Sequence, residues 1–327
     1  MEQDFRQIRL KMNELGHKRQ PFVFLLDFNL QKPLLFEWEE SRNYLLWATP
    51  GYCNFGREII PDKKLGWKAK PVPYVRYRNA FEQVQRHIHK GDSYLLNLTM
   101  PTYVETNYGL EDLFSVCTSL YKIYLKNQFV CFSPEIFVRI VNGRISSFPM
   151  KGTIDAGIPG AAGLLRNDKK ELAEHSTIVD LIRNDLSMVA TQVKVDRFGY
   201  LDKIRSNQTD LLQMSSEISG ILQPNYNEYL GDIFATLLPA GSVSGAPKKE
   251  TIGIIRRVEN YDRGYYTGIF GIFDGINVDS CVLIRFIEKQ QGQFIFKSGG
   301  GITHLSNCNK EYEELLKKVY VPVTGNN

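Results

Sequence analysis

Ile136-Phe137-Val138-Arg139-Ile140-Val141-Asn142-Gly143-Arg144-Ile145-Ser146-Ser147-Phe148-Pro149-Met150-Lys151-Gly152-Thr153 decides the fold of this 327-residue chain. Two short apolar runs, Ile136 to Val141 and Arg144 to Phe148, flank Asn142-Gly143. That dipeptide accepts the backbone angles of a tight hairpin, so the runs are read as antiparallel strands. Pro149 ends the second strand and Gly152 starts a turn, which places Lys151 at the end of a sheet. Taken alone, Lys151 is either a solvated surface lysine or an amine held for attack on an electrophile. Attack requires burial or a neighbouring cation to lower its pKa.

From Tyr74 onward, β-rich runs at Tyr94 to Met100, Phe129 to Phe148 and Gly268 to Phe296 alternate with amphipathic helices. Ala80 to His89 is one such helix, with Phe81, Val84 and Ile88 on one stripe and Gly91 just past its end. Mostly antiparallel strands with separate helices define an α+β class. At 43% hydrophobic content the chain can bury a large core. The candidate site residues run from 135 to 314 and have to meet, which predicts one domain over residues 1–327.

Asp168 opens a pattern in which Leu172, Val179, Ile182 and Leu186 recur at helical spacing, so Glu171 and Glu174 share a face. Glu171 has a second reading, as the partner of Asp168 in a capping box. Glu311-Tyr312-Glu313-Glu314, ahead of Leu315, Leu316 and Val319, repeats the spacing on another helix. Four carboxylates on two facing helices suit a hard cation such as Mg²⁺, which takes oxygen ligands.

Ser298-Gly299-Gly300-Gly301 follows Phe294-Ile295-Phe296 and leaves backbone amides open to an anion. Pro239-Ala240-Gly241-Ser242-Val243-Ser244-Gly245-Ala246-Pro247-Lys248 precedes a helical pattern from Glu250 to Val258, which points its amides and hydroxyls to a helix N-terminus. No glycine-lysine-serine/threonine closes that stretch, which argues against nucleotide binding. Arg285 lies in the β-rich run Asp279 to Phe286. It either emerges at a sheet surface or pairs inside, where a guanidinium grips a carboxylate bidentately.

Several ordered blocks now resemble the chorismate-utilising enzymes, and most closely their aminodeoxychorismate-forming branch. They are Gly91 to Leu98, Ser133-Pro134-Glu135, Pro149 to Thr153, Ala173-Glu174-His175 through Asp180 to Asp185, Gly241 to Lys248, Gly299 to Ile302, and Glu311 to Glu314. The resemblance covers residues 74–320, the catalytic core, and makes residues 1–73 a shortened N-terminal part ending in the lysine- and proline-rich link Asp62 to Pro73. It implies two stacked antiparallel β-sheets with helices outside and a site between them. It also implies that Mg²⁺ holds the ring carboxylate of chorismate through Glu174 and Glu314, with Glu171 and Glu311 beside them. Arg285, Tyr266 and the Gly299, Gly300 and Gly301 run would take the enolpyruvyl carboxylate. Gly152, Thr153 and Ser244 would line the ring, and Glu135 would protonate the departing hydroxyl. Lys151 stands where anthranilate and isochorismate synthases usually have alanine. In the aminodeoxychorismate branch a lysine there attacks ring carbon 2, and ammonia then attacks carbon 4 and expels it. The product implied is 4-amino-4-deoxychorismate, a precursor of p-aminobenzoate and folate.

Two positions depart from the family pattern. Leu95 stands where relatives have glutamine or a water-activating lysine, and it cannot act as a base. Gln213 replaces a histidine linked to pyruvate elimination, which argues against a complete anthranilate reaction. An anthranilate synthase large subunit, and a relative that binds chorismate or an amidotransferase without turnover, are the alternatives. No cysteine lies in a glutaminase context, so ammonia is expected from a separate glutamine amidotransferase subunit.

The net charge of +4 has no concentrated basic stretch, which makes nucleic acid an unattractive partner. Cys53, Cys117, Cys131, Cys281 and Cys308 show no paired metal spacing and suggest free thiols in a reducing compartment. Met1 to Gln20 is charged and no apolar run approaches membrane-helix length, so a cytoplasmic protein with no membrane partner is expected.

Overall fold

A computed structural model describes residues 4–56, 61–204 and 210–323. Parts of the N-terminal segment, residues 1–3 and 57–60, therefore lie outside the described residues. The hairpin forms as its sequence predicts. Ile136–Val141 pairs antiparallel with Arg144–Ser147, and Asn142 (φ 50°) and Gly143 (φ 76°) make the turn.

Two antiparallel sheets are built around it. The first runs from edge to edge through Met150–Asp155, Leu211–Ile221, Arg144–Ser147, Ile136–Val141, Val278–Val282, Ile269–Phe273, Phe22–Leu26 and Leu34–Glu37, with Thr191–Ile204 also pairing with Leu211–Ile221. The second runs through Gly245–Ala246, Leu95–Thr106, Gln293–Ile302, Phe286–Gln290, Phe129–Ser133, Tyr121–Leu125 and Leu45–Ala48. The class is α+β, as expected.

Why the sheets stack is visible in the strand Phe22–Leu26, which is buried at every position. Side chains alternate between faces along a strand. Phe22, Phe24 and Leu26 point to a core shared with the helices Phe5–His17, Lys169–Ser187 and Leu230–Leu237. Val23 and Leu25 point the other way, to a core with Trp47, Tyr121, Ile123, Phe129 and Phe286 of the second sheet. The far face of that sheet is covered by Tyr74–His89, Lys248–Glu259 and Cys308–Lys317, through Leu96, Leu98, Met100 and Ile302. The layers are therefore helix, sheet, sheet, helix.

Three local expectations are corrected. The helix read from Ala80 begins at Tyr74, because Pro73 can serve as its N-cap and Tyr77 extends the buried stripe. The link Asp62 to Pro73 contains the strand Trp67–Lys70, paired with Leu95–Thr106, which its lysines and prolines disguised. Gly299 to Gly301, expected to leave its amides open, forms the end of the strand Gln293–Ile302, so its amides lie within a ladder opposite Asn97 to Thr99. All five cysteines are free thiols. Among the described residues no helix is long and apolar enough to cross a membrane.

Trp47 is fully buried between the sheets, edge-on to Trp38 at 5.0 Å, and its Nε1 donates to Ser41 Oγ. Trp47→Ala is expected to cost about 3–5 kcal/mol. The check is a urea unfolding curve whose midpoint falls with little change in slope.

Candidate active site

Lys151 sits inside an edge strand, Met150–Asp155, and not in a turn after a strand. Its pairing with Leu211–Ile221 shifts register between Lys151 and Thr153, where Gly152 takes φ 60°. That bulge re-aims the lysine. Its Nζ donates to Glu174 Oε1 at 2.5 Å, and Glu174 is only 4% exposed.

The carboxylates arrive on two helices. Lys169–Ser187 is capped by Asp168, whose side chain accepts from the amides of Lys170 and Glu171. The Asp168 cap leaves Glu171 free to reach toward Gly152, where a Cβ would stand 3.2 Å from its Oε2. Cys308–Lys317 is capped by Asn307 and carries Glu311 and Glu314. A Cβ on Gly301 would overlap Glu174 Oε1, and one on Gly300 would stand 3.6 Å from Glu314 Oε1 and 3.8 Å from Glu311 Oε2. The glycines serve the approach of these acids to the strand as well as any exposure of amides.

Three of the four acids are matched by a lysine. Besides Lys151 on Glu174, Lys170 holds Glu311 at 2.6 Å and Lys318 holds Glu314 at 2.7 Å. Burial pulls the Lys151 ammonium down, but Glu174, then Glu135 and Glu171, more than offset it, so its pKa lies above the ordinary lysine value. Nucleophilic attack needs the opposite direction, so the resting amine is protonated. Burial, then Glu174, pushes Glu171 up. Burial also pushes Glu314 up, but Lys318, with Lys170 and Lys151, outweighs it and holds that group below the usual carboxylate range.

Glu135 lies at the start of the strand Ile136–Val141 and is raised by burial, opposed by Ser242, Lys151, Lys318 and Arg285. Its Oε1 accepts from Ser242 Oγ at 2.5 Å. Ser244, expected to line the ring, is instead fully buried and donates to Ala240 O. Tyr266 is buried in the core between the sheets, and Thr153 is exposed. Arg285 takes φ 54° in the connection from Val278–Val282 to Phe286–Gln290, with its guanidinium over the Tyr320 ring and on no carboxylate among the described residues. A cavity of about 20 Å³ is lined by Glu135, Pro149, Asp185, Gly241 and Ser242. A larger cleft of about 500 Å³, lined by Arg76, Asn79, Gln83 and Arg257, includes none of the expected site residues.

Residues 61–324 match the family model described as chorismate binding enzyme. The chain belongs to the chorismate-binding enzyme family. It is 49% identical over 316 residues to an uncharacterized PabA-like protein of Haemophilus influenzae, covering 96% of this chain and 95% of that one. It is 32% identical to aminodeoxychorismate synthase component 1 of Bacillus subtilis, covering 84% of this chain and 60% of that longer one. Among solved structures, the menaquinone-specific isochorismate synthase MenF of Escherichia coli superposes with a TM-score of 0.73 at 16% identity, covering 96% of this chain and 80% of that one. That likeness confirms the fold of two stacked sheets.

In this chorismate-binding enzyme, then, the structure brings Lys151, Glu171, Glu174, Glu311, Glu314 and the glycine strand together. The acids suit Mg²⁺ in kind, since all donors are oxygens and the strand beside them lacks side chains. Lysines pair with Glu174, Glu311 and Glu314 here, and no group of three among the described residues is arranged to hold a metal ion. Sequence reasoning missed Ser242, which nothing local distinguishes from Ser244. It also missed Lys170 and Lys318, although Lys318 stands one helical turn after Glu314 and was open to that reading.

His175, beside Glu174, was read only as part of a family block and given no role. It is fully buried, and its Nε2 meets Ser216 Oγ at 2.6 Å. Burial, and then Lys151, push its pKa down to about 4. The unfolded chain therefore binds an extra proton between pH 6.5 and 4, and stability is lost as pH falls through that window. The shift corresponds to roughly 3 kcal/mol. His175→Asn is expected to flatten this part of the acid-unfolding profile, measured by urea midpoints from pH 7 to 4.

Proposed function

We propose that this chain is aminodeoxychorismate synthase component I, converting chorismate and ammonia to 4-amino-4-deoxychorismate on the way to p-aminobenzoate and folate. The observation that carries the reading is the pairing of Lys151 with Glu174 against Gly301, within electrostatic reach of Glu135. Ammonia would come from a separate glutamine amidotransferase subunit.

Glu174 and Glu314, with Glu171 and Glu311 beside them, would hold Mg²⁺. The ion would supply positive charge to orient and neutralise the ring carboxylate of chorismate. Arg285, in the connection between the two sheets and with no carboxylate on its guanidinium among the described residues, takes the enolpyruvyl carboxylate. Glu135 donates its proton to the 4-hydroxyl, which leaves as water. Neutral Lys151 forms the bond from Nζ to carbon 2 as that C–O bond breaks. Ammonia then bonds to carbon 4, the C2–N bond breaks, and the lysine amine is restored. The proton lost by ammonia returns to the Glu135 carboxylate. Two easier displacements replace one difficult one.

Incubation of the chain with chorismate, Mg²⁺ and ammonium is expected to give aminodeoxychorismate without pyruvate. Anthranilate with pyruvate would overturn the assignment. Lys151→Ala and Lys151→Arg should both lose about 10²-fold or more in 4-amination. An active Lys151→Arg, which keeps the charge but cannot attack, would remove the covalent role.

The active form needs Glu135 protonated and Lys151 neutral, each the minority form between their two pKa values. The rate then rises with pH until Glu135 ionises and levels off above that point. Ser242→Ala removes the hydrogen bond that opposes the rise in the Glu135 pKa. The acid limb of kcat/KM is therefore expected to move to higher pH in this variant, read from initial rates across pH.

A further inference from the structure

We propose that Arg263 is a positioning residue for the loop that holds Ser242 against Glu135. The activity arm of its test rests on the function proposed above; the structural arm does not.

Arg263 is 2% exposed, and all five of its guanidinium N–H groups are used. Nε and Nη2 grip Glu259 bidentately at 2.8 and 2.6 Å. Nη1 donates to Val243 O at 2.8 Å and to Thr267 Oγ1 at 3.2 Å, and Nη2 also donates to Asn97 O at 2.7 Å. One side chain thus ties the end of the helix Lys248–Glu259 to the strand Leu95–Thr106, to the lead into the strand Ile269–Phe273, and to the loop at Val243. Phe28 lies beneath the guanidinium at 4.6 Å. The Arg263 backbone is fixed in turn, because the buried Lys297 Nζ donates to Asp262 O and Arg263 O.

The loop depends on this clamp more than its neighbours do. The strand Gln293–Ile302 has nine register partners along Leu95–Thr106, whereas the loop strand Gly245–Ala246 has two. On its other side Gly241 packs against Leu181 and Asp185, and Asp185 accepts from Lys248 Nζ at 2.6 Å. Held between two ion pairs, the loop presents Ser242 Oγ to Glu135 Oε1. Val243 is the next residue, and without Arg263 its carbonyl keeps only the longer, 3.2 Å bond from Asn97 Nδ2, which loosens the hydroxyl that orients the acid. A flexible lysine cannot replace the planar fork at four partners.

Two variants test this. Arg263→Lys keeps the charge. Glu259→Gln with Arg263→Met removes both charges together, leaving none buried and unpaired, and retains an oxygen for the Thr99 amide and hydroxyl. In either folded variant, kcat for aminodeoxychorismate formation is expected to fall about 10²-fold while KM for chorismate moves less than about threefold. Hydrogen exchange of the peptide spanning 239–247, followed by mass spectrometry, is expected to speed about tenfold while the peptide spanning 293–302 is unchanged. A folded double variant with parental kcat, or with parental exchange in the loop, overturns the proposal. If the parent chain forms no aminodeoxychorismate, the functional reading falls, and the exchange comparison alone decides the role of Arg263.

Discussion

Glu174 can reach the strand Gln293–Ile302 from its helix only because Gly301 carries no Cβ. Glu174 fills the space a methyl group on Gly301 would take, and Glu311 and Glu314 close over Gly300. The two helices belong to opposite layers. Lys169–Ser187 is anchored through Ile178, Val179, Ile182 and Leu186 in the core of the first sheet. Cys308–Lys317 is anchored through Leu315 in the core outside the second. Apolar packing on each side sets where the helices lie, and the bare strand lets their polar faces meet.

Bringing four carboxylates together in a half-buried place demands compensating charge. Lys151, Lys170 and Lys318 supply it, each on its own acid. The same neutralisation masks the amine on which the proposed chemistry depends, because Glu174 favours its protonated form. Under the proposed function, a substrate carboxylate and a cation would enter a site in which three of the four acids are already paired, so binding would exchange partners rather than fill an empty field. Nearby, Glu135 is tuned the other way. Burial favours its neutral, proton-donating form, and Ser242 limits how far.

Much of the architecture was legible because it follows from local rules. Asn142-Gly143 specified the hairpin through the backbone angles those residues accept, and Leu172 to Leu186 and Leu315 to Val319 marked helices by period. Other elements were hidden for physical reasons. Trp67–Lys70 has little apolar alternation, since most of it is exposed at a sheet edge, so pairing with Leu95–Thr106 rather than burial defines it. Gly299 to Gly301 does not read as strand because glycine weakens a strand, and only the helices above explain its place in one. Ser242 and Ser244 are equivalent in the sequence. A short 3₁₀ turn at Gly241–Val243 turns one hydroxyl to Glu135 and buries the other.

What the sequence determined by itself was the α+β class, the antiparallel hairpin, the helices with their acidic faces, and the ordered blocks that mark a chorismate-binding enzyme. These rest on periodicity, turn chemistry and residue type, which act over a few positions. Tertiary structure alone decided that Lys151 lies in a bulged edge strand, that its ammonium is stabilised, and that Ser242 meets the acid. Those outcomes depend on distances between groups 23, 107 and 141 positions apart, such as Lys151 with Glu174, Ser242 with Glu135, and Lys170 with Glu311. Coulomb energy and desolvation act through space, so the charge state of a site is set only once the chain has closed around it.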